Sequence, residues 1–152
     1  SPTPHIIAAE LLKFPIEAEK VHRSLFGNHS PTKFKYMSQI LGDIEYELDG
    51  QLALVRIHKK DLDRLGLEAD ETRDIIDMVM DLESIEAAVL FREDGPNQFK
   101  ISFRSKGMYS VSLLAQSLGG GGHKFASGAT MYSSYPEIKA QVLDSFKKLF
   151  AK

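Results

Sequence analysis

The sequence predicts an α/β domain, a small mixed β-sheet packed by helices and preceded by three short helices. Three observations carry that prediction. Apolar residues recur at helical spacing through the first 42 positions, in segments bounded by proline or glycine. The pattern then switches to period two in "DIEYEL" and "QLALVRIH", and "EAAVLFRE", "NQFKISFRS" and "ASGATMYSS" read as further strands. Helical spacing returns between and after them. The composition is that of a globular chain, 43% hydrophobic and 26% charged over 152 residues, enough for one domain with a core.

Taken in order, Thr3 reads as an N-cap and Pro4 as a first helical residue, followed by Ile6, Ile7, Leu11 and Phe14 at helical spacing until Pro15. "IEAEKVHRSLFG" carries Ile16, Val21, Leu25 and Phe26 and closes on Gly27. In "SPTKFKYMSQILGD", Ser30 caps, Pro31 opens, and Phe34, Met37, Ile40 and Leu41 form the stripe. Asp49-Gly50 joins the first two alternating segments as a hairpin. "KKDLDRLG" reads as a short helix or turn, and "DETRDIIDMVMDLESI" as a helix capped by Asp70, with Ile75, Ile76, Val79 and Leu82 facing inward. "DGPN" marks a second hairpin, "YSVSLLAQSL" a helix running into a glycine run, and "YPEIKAQVLDSFKKLFAK" a closing helix with Ile138, Val142, Phe146 and Leu149 on one face.

The formal net charge of -2 argues against bulk electrostatic binding to long nucleic acid, yet leaves room for a local basic pocket that takes a short anion. Without cysteine there is no disulfide, thiolate metal site or cysteine nucleophile, which fits a reducing, cytoplasmic setting. No apolar run approaches the ~20 residues that span a bilayer, so no membrane partner is expected. The chain opens on Ser1 with a helix almost at once, as a fragment cut from a longer protein would.

The most specific stretch is "SLGGGGHKFASGAT", Ser117 to Thr130. Gly119 to Gly122 stand between a helix and an expected short helix or turn near His123. Successive bare amides can form an anion-binding nest, a helix N-terminus adds partial positive charge, and His123 and Lys124 add donors. The P-loop pattern G-x-x-x-x-G-K-[ST] is absent. The plain alternative is a helix C-cap followed by a flexible connector. Upstream, "SFRSKG" ends a strand with the fork of Arg104, the hydroxyl of Ser105 and the point charge of Lys106, or simply with a solvated strand end. A single helix separates the two stretches and can return the glycine loop beside the strand end. The candidate phosphate-binding residues are therefore Arg104, Ser105, Gly120, Gly121, Gly122, His123 and Lys124. Tyr109 and Phe125 are the aromatic candidates for stacking on a base, with Phe125 favoured as core.

His5, His22, His29, His58 and His123 are well separated, and neither H-x-x-x-H nor H-E-x-x-H occurs. Asp74, Asp77 and Asp81 recur at helical spacing and read as a solvated face. No metal ligand, cofactor or catalytic residue is assigned to this chain, which is expected to bind without hydrolysing.

"FRSKGMYSVSLLAQSLGGGGHKFASGA" resembles the C-terminal substrate-binding domain, DHHA1, of the DHH phosphoesterases. It is similar in particular to the branch that degrades very short RNA and dephosphorylates 3′-phosphoadenosine 5′-phosphate. The resemblance covers nearly the whole chain and is most specific over Phe103 to Thr130. It implies that residues 1–42 are the helical tail and linker of an N-terminal catalytic domain and that 43–152 are the DHHA1 domain. It implies that Arg104 and Ser105 engage a phosphate or nucleotide end, and that Gly120, Gly121, Gly122 and His123 line the phosphate wall. The related domain of alanyl-tRNA synthetase typically has arginine where His123 stands, so the histidine points to the phosphoesterases. The family's Asp-His-His motif, which holds two divalent metals, usually manganese, does not occur in this chain.

The implied partners are a short oligonucleotide or nucleoside bisphosphate and an N-terminal DHH domain. The apolar stripes of the opening helices, if uncovered, would favour a homodimer. Two other readings stay open: a standalone nucleotide or cyclic-dinucleotide binding module, and an interaction domain with a glycine hinge.

Overall fold

A computed structural model describes residues 1–27 and 30–151, with backbone alone at residues 70 and 73. The chain divides into two compact units, Ser1–Phe34 and Lys35–Lys152. In the first, α1 spans Thr3–Leu11 and α2 spans Ala18–Phe26. Pro2, one residue before the expected Thr3, occupies the N-cap of α1. Every apolar residue in the expected stripes of these two helices, Ile6, Ile7, Leu11, Phe14, Ile16, Val21, Leu25 and Phe26, is exposed. His29 lies outside the described residues.

The helix α3, Pro31–Gly42, opens on Ser30, whose Oγ accepts the Lys33 N–H at 3.0 Å. Its buried face is Tyr36, Met37 and Ile40, while Phe34 is 65% exposed. On a helical wheel Phe34 stands about 110° from the mean direction of those three, so the expected stripe was rotated and Tyr36 supplies the aromatic bulk instead.

The second unit is built on a six-stranded sheet ordered β1-β2-β3-β4-β6-β5. The strands are β1 (Glu45–Glu47), β2 (Leu52–Ile57), β3 (Ala87–Gly95), β4 (Gln98–Ser105), β5 (Gly121–His123) and β6 (Ala126–Tyr132). The helices are α4 (Lys59–Leu65), α5 (Arg73–Met80), α6 (Val111–Ser117) and α7 (Tyr135–Phe150). Only β2 and β3 pair in parallel, joined through α4 and α5; the other pairings are antiparallel, so the sheet is mixed. The hairpin at Asp49-Gly50 forms, with positive φ at Leu48, Asp49 and Gly50.

The sheet separates two cores. On one side Leu54, Val89, Phe91, Ile101 and Phe103 pack against α6 and α7 through Val111, Leu114, Ile138, Val142 and Phe146. On the other, Ala53, Val55, Ile57, Ala88 and Leu90 lie under α3, α4 and α5 through Tyr36, Met37, Ile40, Leu62, Ile75, Ile76 and Val79. The second core ends at β3. Beyond it, the same sheet face carries Lys100, Ser102 and Arg104 from β4, paired with Thr130, Gly128 and Ala126 from β6. That polar, small-residue half-sheet sets the position of the site.

Two details of α5 differ from expectation. A short 3₁₀ turn, Ala69–Thr72, precedes it and Thr72 is the N-cap; the side chain of Asp70 lies outside the described residues. The helix ends at Met80, so Leu82 is 41% exposed and the fully buried Ile85 fills the core in its place.

A polar network closes the far end of β2 and β3. Glu93 pairs with Arg56, sits 3.3 Å from His58 Nδ1, and accepts the Lys59 N–H at 3.3 Å. The Arg56 guanidinium also lies 3.9 Å from the centroid of the Tyr135 ring. Burial alone would push the Glu93 carboxyl up, but the hydrogen bond and charge of Arg56, with His58 and the Lys59 amide, hold it below its ordinary 4.5. A carboxylate depressed in the fold stabilises it above the unfolded value and loses that contribution as pH falls through the folded one. Glu93→Gln should therefore lower stability at neutral pH and flatten the decline below pH 4.5, measured by urea unfolding across pH 3–7.

Candidate functional site

The glycine run ends one helix and begins an edge strand. Gly119 has φ +77 and closes α6, donating its N–H to Gln116 O at 3.1 Å. Gly120 donates to Ala115 O at 2.8 Å. A Cβ on Gly120 would fall 2.0 Å from Gly128 O, and one on Gly122, at φ +140, would fall 2.6 Å from Ser127 Cα. At Gly121 a Cβ would meet nothing within 4 Å among the described residues. Close approach thus demands glycine at 120 and 122 and positive φ favours it at 119; a Cβ would meet open space at both Gly119 and Gly121, and Gly121 is the one of the four that neither packing nor φ requires.

Of the expected helix or turn near His123, the structure has the turn. Lys124 and Phe125 form a two-residue connection between β5 and β6, with His123 opposite Ala126. The helix-dipole contribution to anion binding therefore falls away. Two of the four glycine amides are committed to the end of α6.

The strand registers bring the candidates together in rows. Arg104 pairs with Ala126 and Ala126 with His123; Ser102 pairs with Gly128 and Gly128 with Gly121; Lys100 pairs with Thr130. Adjacent strands are ~4.8 Å apart, so the Arg104 and His123 backbones stand about 10 Å apart, with Ala126 between them. The neighbouring row, Ser102-Gly128-Gly121, is small and bare. A cavity of about 500 Å³ opens over it, lined by Lys100, Ser102, Gly119, Gly121, Gly128 and Thr130 among others. A second recess of about 250 Å³ continues toward α5, lined by Ile76, Leu90, Arg92, Lys100, Ser102 and Arg104 among others. Lys100 and Ser102 line both.

The cations differ in their commitments. Arg104 Nε lies 3.2 Å from Asp77 Oδ1, and its Nη1 donates to Phe103 O at 3.2 Å. Asp77, read from sequence as a solvated residue, is exposed and also partners this arginine. Arg92 grips Asp94 with two bonds, at 2.7 and 3.0 Å. Lys124 Nζ lies 4.9 Å from the centroid of the Phe125 ring.

Ser105 stands apart. Period two turns its side chain to the opposite face from Arg104, where it is buried and Oγ donates to Tyr109 O at 2.7 Å. Ser127 Oγ likewise donates to Val111 O at 2.7 Å, and Lys106 Nζ donates to Leu82 O at 2.7 Å, near the end of α5. These residues hold the loops around the site. The structure joins Arg104, Gly121 and His123 on one face, places Lys124 at the adjoining turn, and leaves the Ser105 hydroxyl outside that group.

Lys100, Ser102, Gly128 and Thr130 were missed from sequence. The signal was present: Lys100, Ser102 and Arg104 are alternate residues of "QFKISFRS" and must share a face. The aromatic expectations reverse. Phe125 is 40% exposed, whereas Tyr109 stacks on Phe150 with centroids 4.3 Å apart. Among the described residues no group of three His, Asp or Glu side chains could hold a metal ion. The resemblance places its two divalent metals in an N-terminal domain, and the described residues here offer no set that would hold them. No described helix is long and apolar enough to cross a membrane.

Comparison with known proteins gives a consistent result. The DHHA1 domain family matches residues 49–152. The chain is 32% identical over 129 residues to the "bifunctional oligoribonuclease and PAP phosphatase NrnA" of Bacillus subtilis, covering 83% of this chain and 39% of that protein. It is 33% identical over 134 residues to the protein of the same name from Thermus thermophilus, covering 85% of this chain and 38% of that one. An exopolyphosphatase-related protein from Bacteroides fragilis superimposes with a TM-score of 0.88 at 23% identity, over 97% of this chain and 44% of the other, and shares the fold. The chain thus spans about two fifths of the length of the curated relatives it matches.

The division of labour among the glycines has a direct consequence for stability. Gly120→Ala should cost about 1–3 kcal/mol, because backbone must shift to admit the methyl. Gly121→Ala should stay within about 0.5 kcal/mol of the parent. Urea unfolding of both variants measures the difference.

Proposed function

The chain belongs to the DHHA1 domain family, and on that premise we propose that it is the substrate-clamping C-terminal part of a phosphoesterase acting on short oligonucleotides or 3′-phosphoadenosine 5′-phosphate. The observation that carries the proposal is the row Arg104-Ala126-His123 beside the bare row Ser102-Gly128-Gly121. A phosphate resting over the glycines meets no Cβ from below at Gly121 or Gly128. The guanidinium of Arg104 approaches from one side and the imidazole of His123 from the other. The turn carrying Lys124 adds a cation at the rim.

In this reading the chain does the binding half of the work. Clamping a phosphate between two side chains on a rigid sheet fixes the register of the ligand, so that the bond to be cut is presented in one place. Hydrolysis belongs to an N-terminal DHH domain with two divalent metals, outside this chain's own residues. The exposed apolar residues of α1 and α2 would pack against that domain. The whole would act in the cytoplasm, where a cysteine-free chain is at no disadvantage.

The test is calorimetric titration with 3′-phosphoadenosine 5′-phosphate. Arg104→Ala and His123→Ala should each weaken binding about ten-fold or more, the size of a lost charge-assisted hydrogen bond. Arg104→Lys should recover part of the loss, since a point charge replaces the fork. The isolated chain should release no mononucleotide from a short RNA in the presence of manganese. Binding that both alanine variants leave intact, or turnover by the purified chain, refutes the proposal.

A further inference from the structure

We infer that Lys100 receives a second phosphate, so that the face recognises ligands whose two phosphates flank one ribose; this rests on the reading of the face given above. Arg92 is held by Asp94 and Arg104 touches Asp77, but among the described residues the Lys100 ammonium has neither a hydrogen bond nor an ion pair. It is exposed, and it lines both the glycine-floored cavity and the recess beside α5. An ion-paired cation such as Arg104 must exchange its carboxylate partner for the ligand. An unpaired cation at the junction of two cavities is available at once.

The strand spacing gives the chemistry. Lys100 lies two residues along β4 from Ser102 on the same face, about 7 Å, and the bare Gly128-Gly121 row lies between its level and that of Arg104 and His123. One phosphate held at the Arg104-His123 row therefore has its neighbour, one sugar away, within reach of the flexible lysine stem. Both a nucleoside 3′,5′-bisphosphate and a 5′-phosphorylated dinucleotide carry that pair of phosphates. One cation would thus let one face take both kinds of ligand.

The experiment compares three ligands on the full chain: adenosine 5′-monophosphate, 3′-phosphoadenosine 5′-phosphate and 5′-phosphorylated diadenylate. Wild-type protein should bind both two-phosphate ligands more tightly than the monophosphate. Lys100→Ala should shrink that advantage about two- to five-fold, the range of one exposed charge pair, while leaving monophosphate affinity and thermal stability unchanged. The salt dependence of binding should become weaker for the two-phosphate ligands, because one screened charge pair is lost. Lys100→Arg should restore both.

A loss confined to one of the two-phosphate ligands overturns the claim that one cation serves both. A wild-type preference ratio of one, or a Lys100→Ala variant that weakens all three ligands equally or none, overturns the inference. If wild-type protein binds all three and loses them on Arg104→Ala while the ratio ignores Lys100, only this inference fails. If wild-type protein binds none of them, the reading of the face fails with it.

Discussion

The alternation of side chains along β4 is the constraint on which the rest of the molecule depends. Phe99, Ile101 and Phe103 point into the core under α6 and α7, and Lys100, Ser102 and Arg104 point the other way. Ile101 and Phe103 are fully buried, and each contributes about 1.5–3 kcal/mol by leaving water. A slip of one residue would bury Lys100 and Arg104 and expose the aromatic rings, so the core holds the register with great force. The cations of the open face are placed by residues that never touch a ligand. Ser105 obeys the same rule and is drawn to the loop at Tyr109.

The second requirement is close approach of main chains. Gly120 lies against Gly128 O, Gly122 against Ser127, and Gly128 against Ile101 O, distances at which a side chain would force the strands apart. Glycine in a strand normally weakens it by lost entropy and missing packing. Here that cost is offset because the short edge strand β5 can lie flush on β6 and carry His123 to the level of Arg104. The bare floor is first a packing solution, and its accessibility to a ligand follows from it.

Most elements could be read directly from period and punctuation. The hairpin at Asp49-Gly50, the strands around "DGPN" and the closing helix all have side-chain patterns or turn residues that name them, while "KKDLDRLG", left open as a short helix or turn, is a helix. What could not be read had a physical reason. A strand made of glycines has no apolar period, so β5 looked like a loop. The pairing of Arg104 with His123 passes through β6, and nothing local in the chain states that β6 lies between β4 and β5. Phe34 and Leu82 fit a helical period, yet one is rotated off the buried face and the other lies past the helix end. Phe125, for which the sequence favours the core over stacking, sits in the two-residue turn at the hairpin tip, where there is little core to enter.

In the proposed reading, charge balance would let a chain of net charge -2 take a phosphate without attracting long nucleic acid at large. Each arginine of the open face has a carboxylate beside it, Asp94 for Arg92 and Asp77 for Arg104. The Arg104 pair is solvent-accessible, with 67% of the Asp77 side chain exposed, and such pairs contribute little to stability. A phosphate that presents two oxygens to the guanidinium can therefore take the place of Asp77 at small cost. A polyanion sliding past at a distance sees the paired charges nearly cancelled and screened by salt. In the proposed reading only a ligand small enough to settle on this face would meet Arg104, His123 and Lys100 together, and the carboxylates that weaken the field outside would sharpen the choice of what binds.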